Sequence, residues 1–187
     1  MDTPPSLQTA ANLKRRSAIL LSIAGLATGV GAGLSWWNQR ETVSASDFTP
    51  LEGFWDLEWD TPLGEKLRMR SFQGNPILLN FWATWCPPCV DELPLLDAFF
   101  RENRSKGWQV LGLAVDKAGA VRSFLEKMPL SFPIAMAGLG GVEFGRNLGN
   151  LAGGLPFSVV IAKNGVIAHR KMGRLSNADL EAWRGLK

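Results

Sequence analysis

The chain predicts an α/β fold, and three observations carry that prediction. Short apolar runs suited to buried strands alternate with segments of helical apolar spacing, which implies parallel pairing and an α/β sandwich. The only two cysteines, Cys86 and Cys89, stand where one such run, Ile77 to Trp82, meets a helical stretch. Near the C-terminus, Asn164-Gly165 separates two strand-like runs, a strong hairpin signal.

Met1 to Leu13 is polar and proline-bearing, without periodicity, and with Lys14-Arg15-Arg16 it forms an expected cytoplasmic tail over residues 1–16. Ser17 to Trp37 carries no charge; its roughly 21 residues would span about 31 Å as a helix, the thickness of a bilayer's hydrocarbon core. Trp36 and Trp37 close it like an interfacial belt, and the cationic cluster before it predicts a cytoplasmic N-terminus. An uncleaved single-pass anchor over residues 17–37 is therefore expected, with everything after Asn38 on the outer face of the membrane. A cleaved signal ending near Val43-Ser44-Ala45 is the competing reading, and Arg15-Arg16-Ser17-Ala18-Ile19 also hints at twin-arginine export. The apolar run is longer than a usual signal core, and Arg40 and Glu41 intervene before the candidate cleavage site.

Residues 38–53 read as a polar linker and residues 54–187 as one domain with one core. The formal charge of +3 raises the question of nucleic acid. From Asp47 onward, however, 16 Lys and Arg face 15 Asp and Glu, and no basic stripe marks a nucleic-acid surface.

Within the domain, Phe54 to Trp59 and Lys66 to Arg70 flank Thr61-Pro62-Leu63-Gly64, which predicts an opening β-hairpin. Ile77 to Trp82 is the central strand. Val90, Leu93, Leu96, Phe99 and Phe100 then recur at roughly helical spacing. Trp108 to Val115 reads as a strand, Ala118 to Met128 as a helix stopped by Pro129, Ser131 to Met136 as a short strand and Val142 to Leu148 as a helix. Phe157 to Ala162 and Val166 to Met172 form the last hairpin. Ser176 and Asp179 have the spacing of a capping box for a closing helix through Trp183.

A Cys-x-x-Cys pair at the start of a helix is chemically informative, because unpaired backbone donors and the macrodipole favour a thiolate there. Cys86 is the expected nucleophile and Cys89, one turn inward, the resolving thiol. Pro87 and Pro88 suit the first helical turn. A zinc half-site is a poor alternative, since only His169 and carboxylates remain as further ligands, and no metal site is expected. A structural disulfide closing two residues would stabilise little. Thiol redox chemistry is what remains.

Phe81-Trp82-Ala83-Thr84-Trp85-Cys86-Pro87-Pro88-Cys89, followed by Glu92-Leu93-Pro94, Gly154-Leu155-Pro156-Phe157 and Lys163-Asn164-Gly165, resembles the thioredoxin superfamily. Within it, the match is to the membrane-anchored TlpA-like and ResA-like branch, over Phe54 to Lys187. The resemblance implies a thioredoxin-like three-layer sandwich, a central mixed sheet flanked by helices, with an added N-terminal hairpin and an inserted helix near Val142. It implies that Pro156 is cis and packs by the disulfide, leaving the Leu155 backbone to pair with an extended substrate, and that Glu92 helps proton transfer. Trp85, Pro87 and Pro88 are expected on the substrate-facing side, although packing remains open for Trp85 and a solvated face for Glu92. Asn80 departs from the buried Asp that many thioredoxins carry there, so it cannot titrate. Trp82 is expected in the core and His169 on the surface.

By the same resemblance, the activity is that of a thiol:disulfide oxidoreductase acting as a reductant of protein disulfides, with no cofactor beyond the Cys86–Cys89 couple. A DsbD-like or CcdA-like membrane donor would keep it reduced, its substrate classes are apocytochrome c and copper-site cysteines, and a monomer is expected. Two alternatives stay open. A peroxiredoxin-like peroxidase would need Thr or Ser where Ala83 stands, and copper carriers of related fold use CxxxC with a placed histidine rather than CxxC.

Overall fold

In the computed structural model, which describes residues 53–138 and 140–185, a seven-stranded mixed sheet forms the middle layer. The expected cytoplasmic tail, the apolar segment 17–37 and the linker as far as residue 52 lie outside the described residues. No described helix is long and apolar enough to cross a membrane.

The opening hairpin is present but shorter than its apolar pattern suggests. Phe54–Asp56 is a 3-10 turn rather than strand, because Gly53 enters at φ 69° and its C=O accepts from the Asp56 N–H, rolling Phe54 into the core. Strand β1 is then Glu58–Asp60 and β2 Lys66–Arg68, paired antiparallel. A second 3-10 turn, Met69–Phe72, replaces the strand end expected at Arg70 and buries Met69 and Phe72.

Strand β3, Ile77–Trp82, has the predicted bounds, and all six of its residues are buried. Such a strand needs an apolar run rather than an alternating one, because both of its faces are covered. Helix α1 is Pro87–Asn103, β4 Gln109–Ala114, α2 Ala118–Lys127 and β5 Ile134–Met136. Helix α3, Gly140–Asn147, is followed by β6 (Phe157–Ile161), β7 (Ile167–Met172) and α4 (Asn177–Arg184). Ser176 and Asp179 close a full capping box on α4.

The strand order is β2-β1-β5-β4-β3-β6-β7. β3, β4 and β5 run parallel; β6 is antiparallel to β3, and β7 to β6. The side chains of β3 divide the core. Leu78 and Trp82 pack with Leu93, Leu96, Val121, Leu180 and Trp183 of α1, α2 and α4. Ile77, Leu79 and Phe81 pack on the other face with Phe54, Met69, Phe72 and Leu148, under α3 and the N-terminal turns. Helices on both faces of a mixed sheet make the predicted three layers. Asn80 is the one polar member of β3, fully buried on the α1 side.

Candidate active site

β3 ends in a turn that delivers the cysteines. The Cys86 N–H reaches the Ala83 C=O at 3.2 Å. Thr84 inside that turn is tied to Asp116 beyond β4: the Asp116 carboxylate accepts from Thr84 Oγ1 at 2.6 Å and from the Thr84 N–H at 2.9 Å. Its other oxygen accepts from the Lys117 N–H at 2.7 Å. Partial burial pushes the Asp116 carboxyl up, but the Thr84 hydroxyl, the two backbone N–H groups and the Lys117 charge outweigh it and hold it below the usual carboxylate range. Sequence reading missed Asp116, because its partner is 32 residues away. The only local hint was a charged residue directly after an apolar strand.

Cys86 is the N-cap of α1, with Pro87 and Pro88 in its first turn, and is joined to Cys89 by a disulfide whose Cα atoms lie 5.3 Å apart. Cys86 keeps 5% of its surface exposed while Cys89 keeps none. One expectation needs correcting. Free amides at the helix start were to stabilise a Cys86 thiolate, but Pro87 and Pro88 have no N–H, and the Cys89 and Val90 N–H groups both go to the Cys86 C=O, at 3.0 and 3.1 Å. What remains at this end is the field of the helix dipole.

Glu92 is fully buried rather than solvated. Asn80 Nδ2 donates to its Oε1 at 2.7 Å, and the Leu175 N–H donates to its Oε2 at 2.7 Å. Burial pushes the Glu92 carboxyl above its usual range, while those two bonds and the Arg174 and Lys171 charges act the other way. Asn80 Nδ2 also donates to Ser158 Oγ at 3.0 Å, whereas Asn80 Oδ1 has no partner among the described residues. Ser158, on β6 two residues past Pro156, is a further member of this network that sequence reading missed.

The Leu155–Pro156 peptide is cis, and the Gly173 N–H donates to the Pro156 C=O at 2.8 Å. Among the described residues, neither the N–H nor the C=O of Leu155 is hydrogen-bonded. Trp85 is 66% exposed, and Pro87 and Pro88 are exposed beside it. Met172, half-exposed at the end of β7, lies against Gly154. Trp82 is core, as expected. His169 is half-buried at the surface rather than freely solvated: it stacks on Trp183 at 5.6 Å, and burial lowers its pKa. Among the described residues, no three His, Cys, Asp or Glu side chains gather as a metal site requires.

A helix-initiating disulfide, with its first cysteine slightly exposed, its second fully buried and a buried carboxyl on the same helix, has the make-up of a dithiol redox centre. The redoxin family model matches residues 45–182. The chain belongs to the redoxin family. Among curated relatives, this redoxin is 30% identical over 169 residues to the thiol-disulfide oxidoreductase ResA of Bacillus cereus, covering 90% of this chain and 92% of that one. It is 29% identical over 167 residues to the thioredoxin-like protein YneN of Bacillus subtilis, covering 85% and 94%. Of solved structures, a thiol:disulfide interchange protein of the thioredoxin family from Chlorobium tepidum superposes with a TM-score of 0.61 at 27% identity, over 67% of this chain and 88% of the other. The redoxin is thus a ResA-like thiol-disulfide oxidoreductase of thioredoxin fold.

Proposed function

We propose that this oxidoreductase is a protein-disulfide reductase, with Cys86 as nucleophile and Cys89 as resolving thiol. The observation that carries the reading is that Cys86 keeps a little exposure where Cys89 keeps none, while Leu155, packed against the core cluster that holds both, has a backbone unpaired among the described residues. In the reduced protein, the Cys86 thiolate attacks one sulfur of a substrate disulfide; a mixed disulfide forms, and the other substrate sulfur leaves as a thiolate. Cys89 gives up its proton and attacks the Cys86 sulfur. The Cys86–Cys89 bond closes and the second substrate thiolate departs, so two electrons pass from the dithiol to the substrate.

The remaining residues fit roles in those steps. The Leu155 N–H and C=O offer a substrate segment one strand-like pairing, and Trp85, Pro87 and Pro88 supply contact surface beside it. Glu92, three residues after Cys89 on α1, shares its helical face and serves as the proton acceptor for the resolving thiol. The anchor expected at residues 17–37 would hold the domain on the periplasmic face of the cytoplasmic membrane. There a reductant needs a membrane donor of the DsbD-like or CcdA-like kind, and apocytochrome c or copper-site cysteines are the substrate classes that the resemblance implies.

Equilibrating the Cys86/Cys89 couple against dithiothreitol and glutathione buffers tests the direction of electron flow. A reductant should lie near thioredoxin, at about -270 mV, whereas a value nearer about -120 mV would mark an oxidant and overturn the proposal.

A further inference from the structure

The substrate-facing edge is held from behind by one side chain. Asn150, buried just after α3, donates from Nδ2 to the Gly154 C=O at 2.8 Å and accepts at Oδ1 from the Gly154 N–H at 3.2 Å. Only this orientation of the amide satisfies both groups, because the carbonyl needs a donor and the N–H an acceptor. A side-chain amide that takes both backbone groups of one residue fixes that residue's two flanking peptides, and so sets where the next residue begins. That next residue is Leu155, whose two groups are free among the described residues, while the Pro156 C=O is taken by the Gly173 N–H.

The clamp is itself anchored. The Asn150 N–H donates to the Gly145 C=O at 2.8 Å, and Arg170 Nε of β7 donates to the Leu148 C=O at 2.7 Å. The position of Gly154 is thereby referred to α3 and to the sheet rather than to a loose loop.

We propose that Asn150 is a positioning residue for protein substrates: its side-chain amide holds both backbone groups of Gly154 and so presents the Leu155 backbone for pairing beside the disulfide. This rests on the reading above that a substrate segment pairs at Leu155. It separates two classes of substrate. A polypeptide disulfide uses the edge, whereas a small aromatic disulfide reaches Cys86 without it.

The test compares Asn150→Asp and Asn150→Ala with the native protein on insulin and on the small disulfide 5,5′-dithiobis(2-nitrobenzoate). Asn150→Asp keeps the acceptor for the Gly154 N–H and sets an oxygen against the Gly154 C=O; Asn150→Ala removes both bonds. KM for insulin should rise about five-fold or more in each variant, the size of one enzyme–substrate hydrogen bond weakened at Leu155, with kcat nearly unchanged and turnover of the small disulfide unaltered. Variants that keep the native KM for insulin overturn the inference alone. So does a loss of small-disulfide turnover equal to the loss on insulin, since Asn150 would then be holding the fold or the redox centre. A native protein that turns over the small disulfide but not insulin overturns the reductase reading and this inference with it.

Discussion

Replacing Glu92 by Gln separates a proton-transfer role from a structural one, because the site accommodates the amide. The Gln carbonyl can keep the bond from the Leu175 N–H, which leaves its NH2 facing Asn80. Asn80 Oδ1 has no partner among the described residues, so a flip of the Asn80 amide supplies an acceptor there, and the Ser158 hydroxyl can donate to the same oxygen. Exchanging a charged acceptor for a neutral one costs about 1 kcal/mol. Against that, removing a fully buried charge relieves a desolvation penalty large enough to raise the carboxyl's pKa despite two hydrogen bonds.

These effects nearly cancel, so the unfolding free energy near neutral pH should stay within about 1 kcal/mol of native. The sign of the pH dependence follows from the raised pKa. The native protein has its full stability from Glu92 below the unfolded value of about 4.3 and loses it as pH rises through the folded value; Glu92→Gln should lack that loss. Resolution of a mixed disulfide should slow by roughly 10²-fold, the lower end for a lost general base, because Glu92 bonds to Asn80 and Leu175 rather than to Cys89. Single-turnover release of a thiol from the preformed mixed disulfide, followed across the pH range where thiols and carboxyls titrate, measures this. Asn80→Ala should act differently: losing a bond that lowers the Glu92 pKa shifts the profile upward without abolishing it. Superimposable rate profiles for native and Glu92→Gln, at matched denaturation midpoints, would refute the reasoning.

Cys89→Ala should accumulate substrate as a mixed disulfide on Cys86, visible as a mass increment reversed by dithiothreitol, while Cys86→Ala should trap nothing; trapping by Cys86→Ala would reverse the assigned roles. Thr84→Val removes the hydroxyl bond to Asp116 and should cost about 1.5–2 kcal/mol near neutral pH, by denaturant unfolding. Because the Asp116 pKa is depressed in the fold, that stabilisation is present above the unfolded value of about 3.9 and disappears as pH falls through the folded value. The native-minus-variant difference should therefore shrink in acid; a pH-independent difference would mean that packing, not the carboxylate, is responsible. Expressed in bacteria, the full chain should stay in the membrane fraction after high-salt washing, and a mature N-terminus at Ser46 would show residues 17–37 to be a cleaved signal.

Much of the fold was legible in the sequence because its signals are local. The apolar run Ile77 to Trp82 has the bounds of β3, the Cys-x-x-Cys pair opens α1, and Ser176 with Asp179 caps α4. Each is a matter of residues within one turn or one strand. The sheet order came from the strand–helix alternation only in outline, and the ends of the hairpin were misread where Phe54 and Met69 rolled into 3-10 turns to reach the core.

The chemistry beyond the cysteines was decided by tertiary structure. Helical spacing left Glu92 free to face water or core; the closeness of β3 and of the backbone at Leu175, 83 residues along the chain, placed it inside. Asn80 read only as a group that cannot titrate until β6 brought Ser158, 78 residues away, onto the same amide. Asp116 and Asn150 carry no motif at all. The sequence by itself determined which atoms could react, because a thiol pair at a helix start is a local statement. Which groups hold a proton, a turn or a substrate edge in place was decided by contacts between elements far apart in the chain, which exist only once the sheet has been ordered.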